Sequence, residues 1–350
     1  LGNTKTRLIN ALKGIEVDRP PFIGPGGMMN MATTEILKTH NLSWPQVHED
    51  AAQMAWLAAR VSELSGIDNI GIPFCMTLEA EALGAAIDMG SIHSEPKVAG
   101  YPLHRLTDWR ELKSLDLNQG RIAVMIQAVQ ELQNQDKPVV VSLTGPLSLA
   151  ASLLEPMIFF KSMRSEPTEV NAFLSFLSAS LIEFARELAE AGADILTVAD
   201  PSASGEILGP RYFAEFAVPY LNQIMEEADK CYSASLLHIC GQLNSIFKEV
   251  GQLSSLAFSI DSATSVKALQ EAVPGKVLIG NVSTHLLHRA DPEKVKKAAR
   301  LNLTQGVKVL APACGISMST PLPNLQAMAA AVREWPLSAS LKQELSTDDL

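Results

Sequence analysis

The sequence predicts an α/β fold, a (β/α)₈ TIM barrel with an N-terminal helical elaboration, in which residues 1–350 form one domain. Three observations carry that expectation. Eight short apolar segments recur along the chain, and stretches of helical periodicity separate most of them, the pattern of parallel βα units. No linker rich in Gly, Ser or Pro divides the chain, and no low-complexity tract interrupts it. Polar residues of uncommon type stand at the ends of the apolar segments, where a barrel keeps its chemistry. A doubly wound sheet uses the same local units and is the alternative architecture; the count of eight favours the barrel.

Each element has its own signal. Residues 3–13 read as a helix before the turn-like VDRPP. FIGPGGMMNM at 22–31 reads as a short strand running into a glycine-rich loop, and 46–65 carries alanines, leucines and charges at helical spacing. NIGIP is the second strand, LEAEALGAA reads as helical, and 86–105 shows no long period and reads as irregular. After a helix at 121–135, VVVSLT is a β-branched strand ending in a Gly-Pro loop. The helical region 168–191 leads to DILTVA, and a helix at about 211–230 leads to LLHIC. A helix near 243–250, then LAFSI, VLIG and VKVLA, complete the count.

Composition narrows the function classes. With 38 acidic against 28 basic residues the formal charge is -10, and no basic stripe invites nucleic acid. No apolar stretch is long enough for a membrane span, and LGNTKTRLINALKG lacks the apolar run of a signal peptide, so a cytoplasmic protein is expected. Four cysteines, Cys75, Cys231, Cys240 and Cys314, are too scattered for a disulfide scaffold, which predicts a reducing compartment and free thiols.

The chemistry concentrates in LLHICGQ and LAPACGIS. His238 and Cys240 are two residues apart, so in an extended strand they point to one side. Cys314 follows the last predicted strand, and loops at a barrel mouth can bring it to the same point. Two thiolates and an imidazole suit zinc, with a fourth position left for exchange. Bound zinc would make a thiol acidic enough to attack carbon at neutral pH. The competing reading is local packing, since cysteine and histidine both occur in cores.

HICG and PACG also resemble the zinc-binding pattern of the methylcobamide:coenzyme M methyltransferases, a group within the uroporphyrinogen decarboxylase superfamily of (β/α)₈ barrels. The resemblance extends over most of the chain: PFCMTLEAEALGAAIDMG, TGPLSLAASLL, ADPSASGEILGPRYFAEFAVPYL, IGNVST and PACGISMSTPLPNLQAM all look like family segments. It implies a catalytic zinc held by His238, Cys240 and Cys314, with water, a carboxylate or the acceptor thiol in the fourth place. Glu155, Glu206 and Asp261 are the candidate carboxylates. The implied methyl donor is a methylated corrinoid carried by a separate corrinoid protein, and the acceptor is a small molecule, a thiol such as coenzyme M or another acceptor such as a folate. Paired oligomers are common in the superfamily, so a homodimer is one arrangement it implies. The decarboxylase branch is the competitor, but its arginine-rich segment near the first strand is here RPPFIGPGGMMNM, with Arg19 alone before the strand. A zinc or corrinoid carrier without turnover is the non-enzymatic alternative.

Further residues at strand ends carry expectations. Asp200 is expected to orient substrate or to cap its loop, Asp261 has the same placement, and Asn281 binds substrate or corrinoid or forms a turn. Gly24, Gly26 and Gly27 permit close backbone approach, with Gly26 and Gly27 the candidates to meet a flat cofactor ring. Met28, Met29 and Met31 offer an adaptable wall or core packing. Arg211 and Arg289 are candidates for an acceptor's anionic group; Glu79 and Glu81 face either the site mouth or, as paired helix glutamates most often do, solvent, and Cys75 and Cys231 read as buried small hydrophobes.

Overall fold

A computed structural model describes residues 3–336. Nine strands are present among them: β1 (Ile70–Ile72), β2 (Ala86–Asp88), β3 (Lys97–Gly100), β4 (Val139–Thr144), β5 (Ile195–Ala199), β6 (Ala234–Ile239), β7 (Ala257–Ile260), β8 (Val277–Val282) and β9 (Val309–Pro312). Seven form one parallel sheet in the order β1-β4-β5-β6-β7-β8-β9. Every residue of these seven is buried, which is why they read as apolar runs without alternation.

The first predicted strand, at Phe22, is reduced to a single parallel bridge between Phe22 and Leu310. Pro20, Pro21 and Pro25 flank it and cannot donate to a ladder. Backbone bonds from Ile23 N to Leu310 O (2.8 Å) and Leu310 N to Pro21 O (2.9 Å) join this segment to β9. On its other edge side chains replace most of the ladder. Phe22 N donates to Asp68 Oδ2 (2.9 Å), Gly24 N to Asn69 Oδ1 (3.0 Å), and Asn69 Nδ2 to Gly24 O (2.8 Å). Arg19 holds Asp68 through two bonds of 2.8 Å. The result is an incompletely closed barrel of seven strands, with eight segments around it. The stretch 86–105, read as irregular, instead contains the antiparallel hairpin of β2 and β3, whose short, half-exposed strands carry too little alternation to be seen.

Residues two apart on a strand share a face, so the barrel interior can be followed tier by tier. Near the strand starts, Val140, Ile195, Leu236 and Ala257 pack with Leu8, Ala11 and Leu12 of the helix Thr4–Leu12. That helix plugs the N-terminal end of the barrel. One step further the same strands offer Ser142, Thr197, His238 and Ser259, all buried. Another step reaches Thr144, Ala199, Cys240 and Asp261 at the mouth. The interior thus turns from apolar to polar along its axis. Leu237, Phe258 and their outward neighbours join the large outer core beneath the surrounding helices.

Replacing Asn69 by Ala should test the side-chain closure. It leaves the Gly24 N–H and C=O buried without partners, at roughly 1–3 kcal/mol for each group. A lowered midpoint in urea with an unchanged slope is expected; a midpoint equal to that of the parent chain would refute this role.

Candidate metal centre

His238 lies on β6, with Ser259 of β7 as its register partner. Its Nδ1 is 3.0 Å from Ser259 Oγ, and its Nε2 is buried without a hydrogen-bond partner. Burial pushes the imidazole down to about 4, against the opposing influence of Asp261 and the Ser259 backbone, so the ring is neutral near pH 7. One potential ligand atom each from His238, Cys240 and Cys314 fall within 4.8 Å of one another. This is the convergence expected from the strand ends. A neutral imidazole with one unspent nitrogen, clustered with two cysteines, is a donor set that can hold a metal ion once the thiols are reduced.

The expectation of free thiols throughout is corrected. Cys240 and Cys314 meet as a disulfide with Cα atoms 6.4 Å apart, within the reach of such a bond, while Cys75 and Cys231 are free. Both sulfurs must be reduced before they can ligate. Cys314 owes its place to a loop fixed on the N-terminal segment: Ile316 N donates to Met28 O (2.9 Å), and a Cβ on Gly315 would press on Met28 Cβ at 2.9 Å. Met28 is partly buried, whereas Met29 and Met31 are core residues.

The candidate carboxylates separate. Asp261 Oδ2 lies 3.3 Å from the Cys240 sulfur, while Oδ1 accepts from Ala263 N at 2.8 Å. Asn281 Nδ2 donates to the carbonyls of Asp261 (2.9 Å) and Thr264 (3.2 Å), so its amide braces this loop. Glu155 instead caps the helix Pro156–Ser165 through Ile158 N (3.0 Å). Glu206 is exposed beside Gly241, whose φ of 78° and bare Cα allow the approach.

Asp200 is fully buried, with both oxygens engaged: Oδ2 accepts from Leu147 N (3.0 Å), and Oδ1 accepts from Ser148 N (2.9 Å) and Ser148 Oγ (2.6 Å). It caps the helix Pro146–Leu153, the second of the two uses expected of it. Gly26 and Gly27 do permit close approach, but to protein. A Cβ on Gly26 would meet Ser142 Cβ at 2.9 Å, and one on Gly27 would meet Ser142 Oγ at 3.3 Å, so the bare Cα atoms let this turn pack on β4. Arg211 points to solvent near Glu215 and over the Tyr212 ring, and Arg289 is also exposed.

Three features escaped sequence reading. Glu79, read as facing the site mouth or solvent, is buried and accepts from Thr144 N (2.8 Å) and Thr144 Oγ1 (2.9 Å). Burial pushes its carboxyl up to about 7, and burial pushes Asp200 up to about 6. Between them these acids hold the Thr144–Ser148 turn from both sides. Arg121 is buried on Glu81 (2.5 Å), Thr77 Oγ1 (3.1 Å) and Cys75 Sγ (3.3 Å). Cys75 is therefore a bonded thiol, and Cys231 is exposed rather than buried. Ser259 had no sequence signal beyond being a lone hydroxyl in LAFSID.

The family model for Uroporphyrinogen decarboxylase (URO-D) matches residues 3–335. The Methylcobamide:CoM methyltransferase MtbA of Methanosarcina acetivorans is 31% identical over 328 residues, 93% of this chain and 96% of that protein. The Methylcobamide:CoM methyltransferase MtaA of Methanosarcina barkeri is 31% identical over 337 residues, 95% of this chain and 98% of that protein. A solved structure of a methyltransferase from Methanosarcina mazei matches with a TM-score of 0.87 at 31% identity, covering 95% of this chain and 99% of its own.

Glu79 makes a pH prediction. Its folded-state pKa is raised from 4.5 to about 7, so its contribution to stability is full below about pH 4.5 and is lost as pH rises through about 7. Glu79→Gln keeps an acceptor for Thr144 and removes the charge. The variant should lose less thermal stability than the parent between pH 5 and pH 8. Parallel melting-temperature profiles for the two proteins would refute this.

Proposed function

This chain belongs to the uroporphyrinogen decarboxylase family, and from that premise we propose that it is a zinc-dependent methyltransferase. It moves a methyl group between a methylated corrinoid, carried on a partner corrinoid protein, and a small acceptor, a thiol such as coenzyme M or a related compound. The observation that carries this reading is the convergence of one ligand atom each from His238, Cys240 and Cys314 within 4.8 Å, with Nε2 of His238 buried and unpartnered. Full-length similarity to two methylcobamide:CoM methyltransferases supports the reaction class.

His238, Cys240 and Cys314 would hold the zinc. When bound, zinc lowers the pKa of an acceptor thiol so that thiolate is available at neutral pH. His238 enters as a neutral donor because burial keeps a proton off its second nitrogen. Asp261 is the acid in contact with a ligand sulfur, which favours it over Glu155 and Glu206 as the carboxylate of the site. Asn281 holds the backbone that carries Asp261, and Asp200 and Glu79 keep the adjoining turn in one shape. Hydrogen-bonded carbonyls and carboxylates thus fix the mouth before substrate arrives. The decarboxylase reading would need a basic clamp for a multiply acidic substrate near the first strand. Arg19, the residue available there, is bound to Asp68 on both nitrogens.

Reduced, metal-loaded protein should carry about one zinc per chain. It should demethylate methylcobalamin, followed by cobalt absorption, in the presence of one acceptor from a panel of coenzyme M, homocysteine and tetrahydrofolate. Cys314→Ala should lose the zinc and fall to background turnover. Wild-type protein that binds no zinc after reduction and metal loading would overturn the proposal.

A further inference from the structure

Ser259 is a hydroxyl with 0% exposure in a strand whose other residues are Ala257, Phe258 and Ile260. A buried hydroxyl costs stability unless it is hydrogen-bonded. Its bond, among the described residues, is to Nδ1 of His238 at 3.0 Å. The pairing follows from topology. His238 and Ser259 are register partners on adjacent parallel strands, and both lie on the inner face set by Leu236 and Ala257.

A neutral imidazole has one nitrogen with a proton and one with a lone pair. If Nδ1 donates to Ser259, the lone pair sits on Nε2. If Ser259 donates instead, Nε2 carries a hydrogen in a buried place with no acceptor bonded to it. The first arrangement leaves no orphan donor and keeps a lone pair on the nitrogen that no protein group engages. We propose that Ser259 is a positioning residue that holds the Nδ1–H of His238, fixing the ring and its tautomer so that Nε2 is presented to the metal. This inference rests on the reading of His238, Cys240 and Cys314 as the metal ligands, and it adds a residue outside that set. Hydrogen-bond partners of a ligating histidine commonly change metal affinity by about 10–100-fold when removed.

The test compares full-length wild type, Ser259→Ala and Ser259→Thr after reduction. Zinc affinity is measured by competition with a chromophoric chelator, and cobalt(II) substitution reports the ligand field. In metal-free protein, long-range ¹H–¹⁵N spectra of labelled histidine report which nitrogen of His238 bears the proton. Ser259→Ala should bind zinc about 10–100-fold more weakly with an altered cobalt spectrum, and Ser259→Thr should recover most of the affinity. Wild-type His238 should be protonated on Nδ1. Equal zinc affinity in wild type and Ser259→Ala overturns the proposal, as does a proton on Nε2 in metal-free wild type. Failure of wild type to bind zinc sinks the methyltransferase reading instead, and the tautomer measurement still decides the role of Ser259.

Discussion

The pleat of β6 is the constraint on which the mouth of this barrel depends. Because its side chains alternate, Leu236, His238 and Cys240 lie along one inner line, while Leu237 and Ile239 belong to the outer core. A slip of one residue would send the histidine and the cysteine into the helical layer and bring leucine and isoleucine inside. Burial on both faces makes such a slip costly in every strand of the sheet. The parallel register with β7 then decides what His238 touches, and it delivers Ser259. The placement of His238 is thus a consequence of strand packing.

The second sulfur arrives by a different route. Cys314 stands beyond β9 on a loop that has no ladder of its own at that point, and it borrows rigidity from the other end of the chain. The carbonyl of Met28 holds Ile316, and Gly315 has no side chain to push Met28 away. Met28 in turn follows Gly26 and Gly27, which are pressed on Ser142 of β4. The N-terminal turn, the fourth strand and the last loop therefore form one stack. The glycines bear on the site through this stack.

Much of this was legible in the sequence. Seven apolar runs became strands, the eighth became a bridge, and the HxC pair met Cys314 where strand ends converge. Continuous burial gives a strong signal because it admits little polar character. The missed features are those whose meaning lies in a distant partner. Glu79 reads as open between the site mouth and solvent because nothing local announces that Thr144, at the end of the neighbouring strand β4, will bind it in a buried place. Ser259 looked like an incidental hydroxyl until register set it beside His238. The hairpin of β2 and β3 failed for the opposite reason, since its half-exposed strands are too short to show a period. Asp200 was seen at the right place but is consumed as a cap, a use that residue type alone does not separate from substrate binding.

The polar tier inside the barrel completes the account. Ser142, Thr197, His238 and Ser259 occupy positions that an inert barrel would fill with branched apolar residues. Replacing hydrocarbon by hydroxyl and imidazole in a dry interior weakens the core, and Thr197 Oγ1 and His238 Nε2 are left without partners. The apolar tier below, sealed by the helix Thr4–Leu12, lets the fold tolerate that loss, because the helix adds Leu8 and Leu12 to the interior. Stability is therefore concentrated at the closed end and polarity at the open end. An orphan nitrogen is costly in a packed protein but useful to a metal, so the cost is best explained by the ligand it would meet.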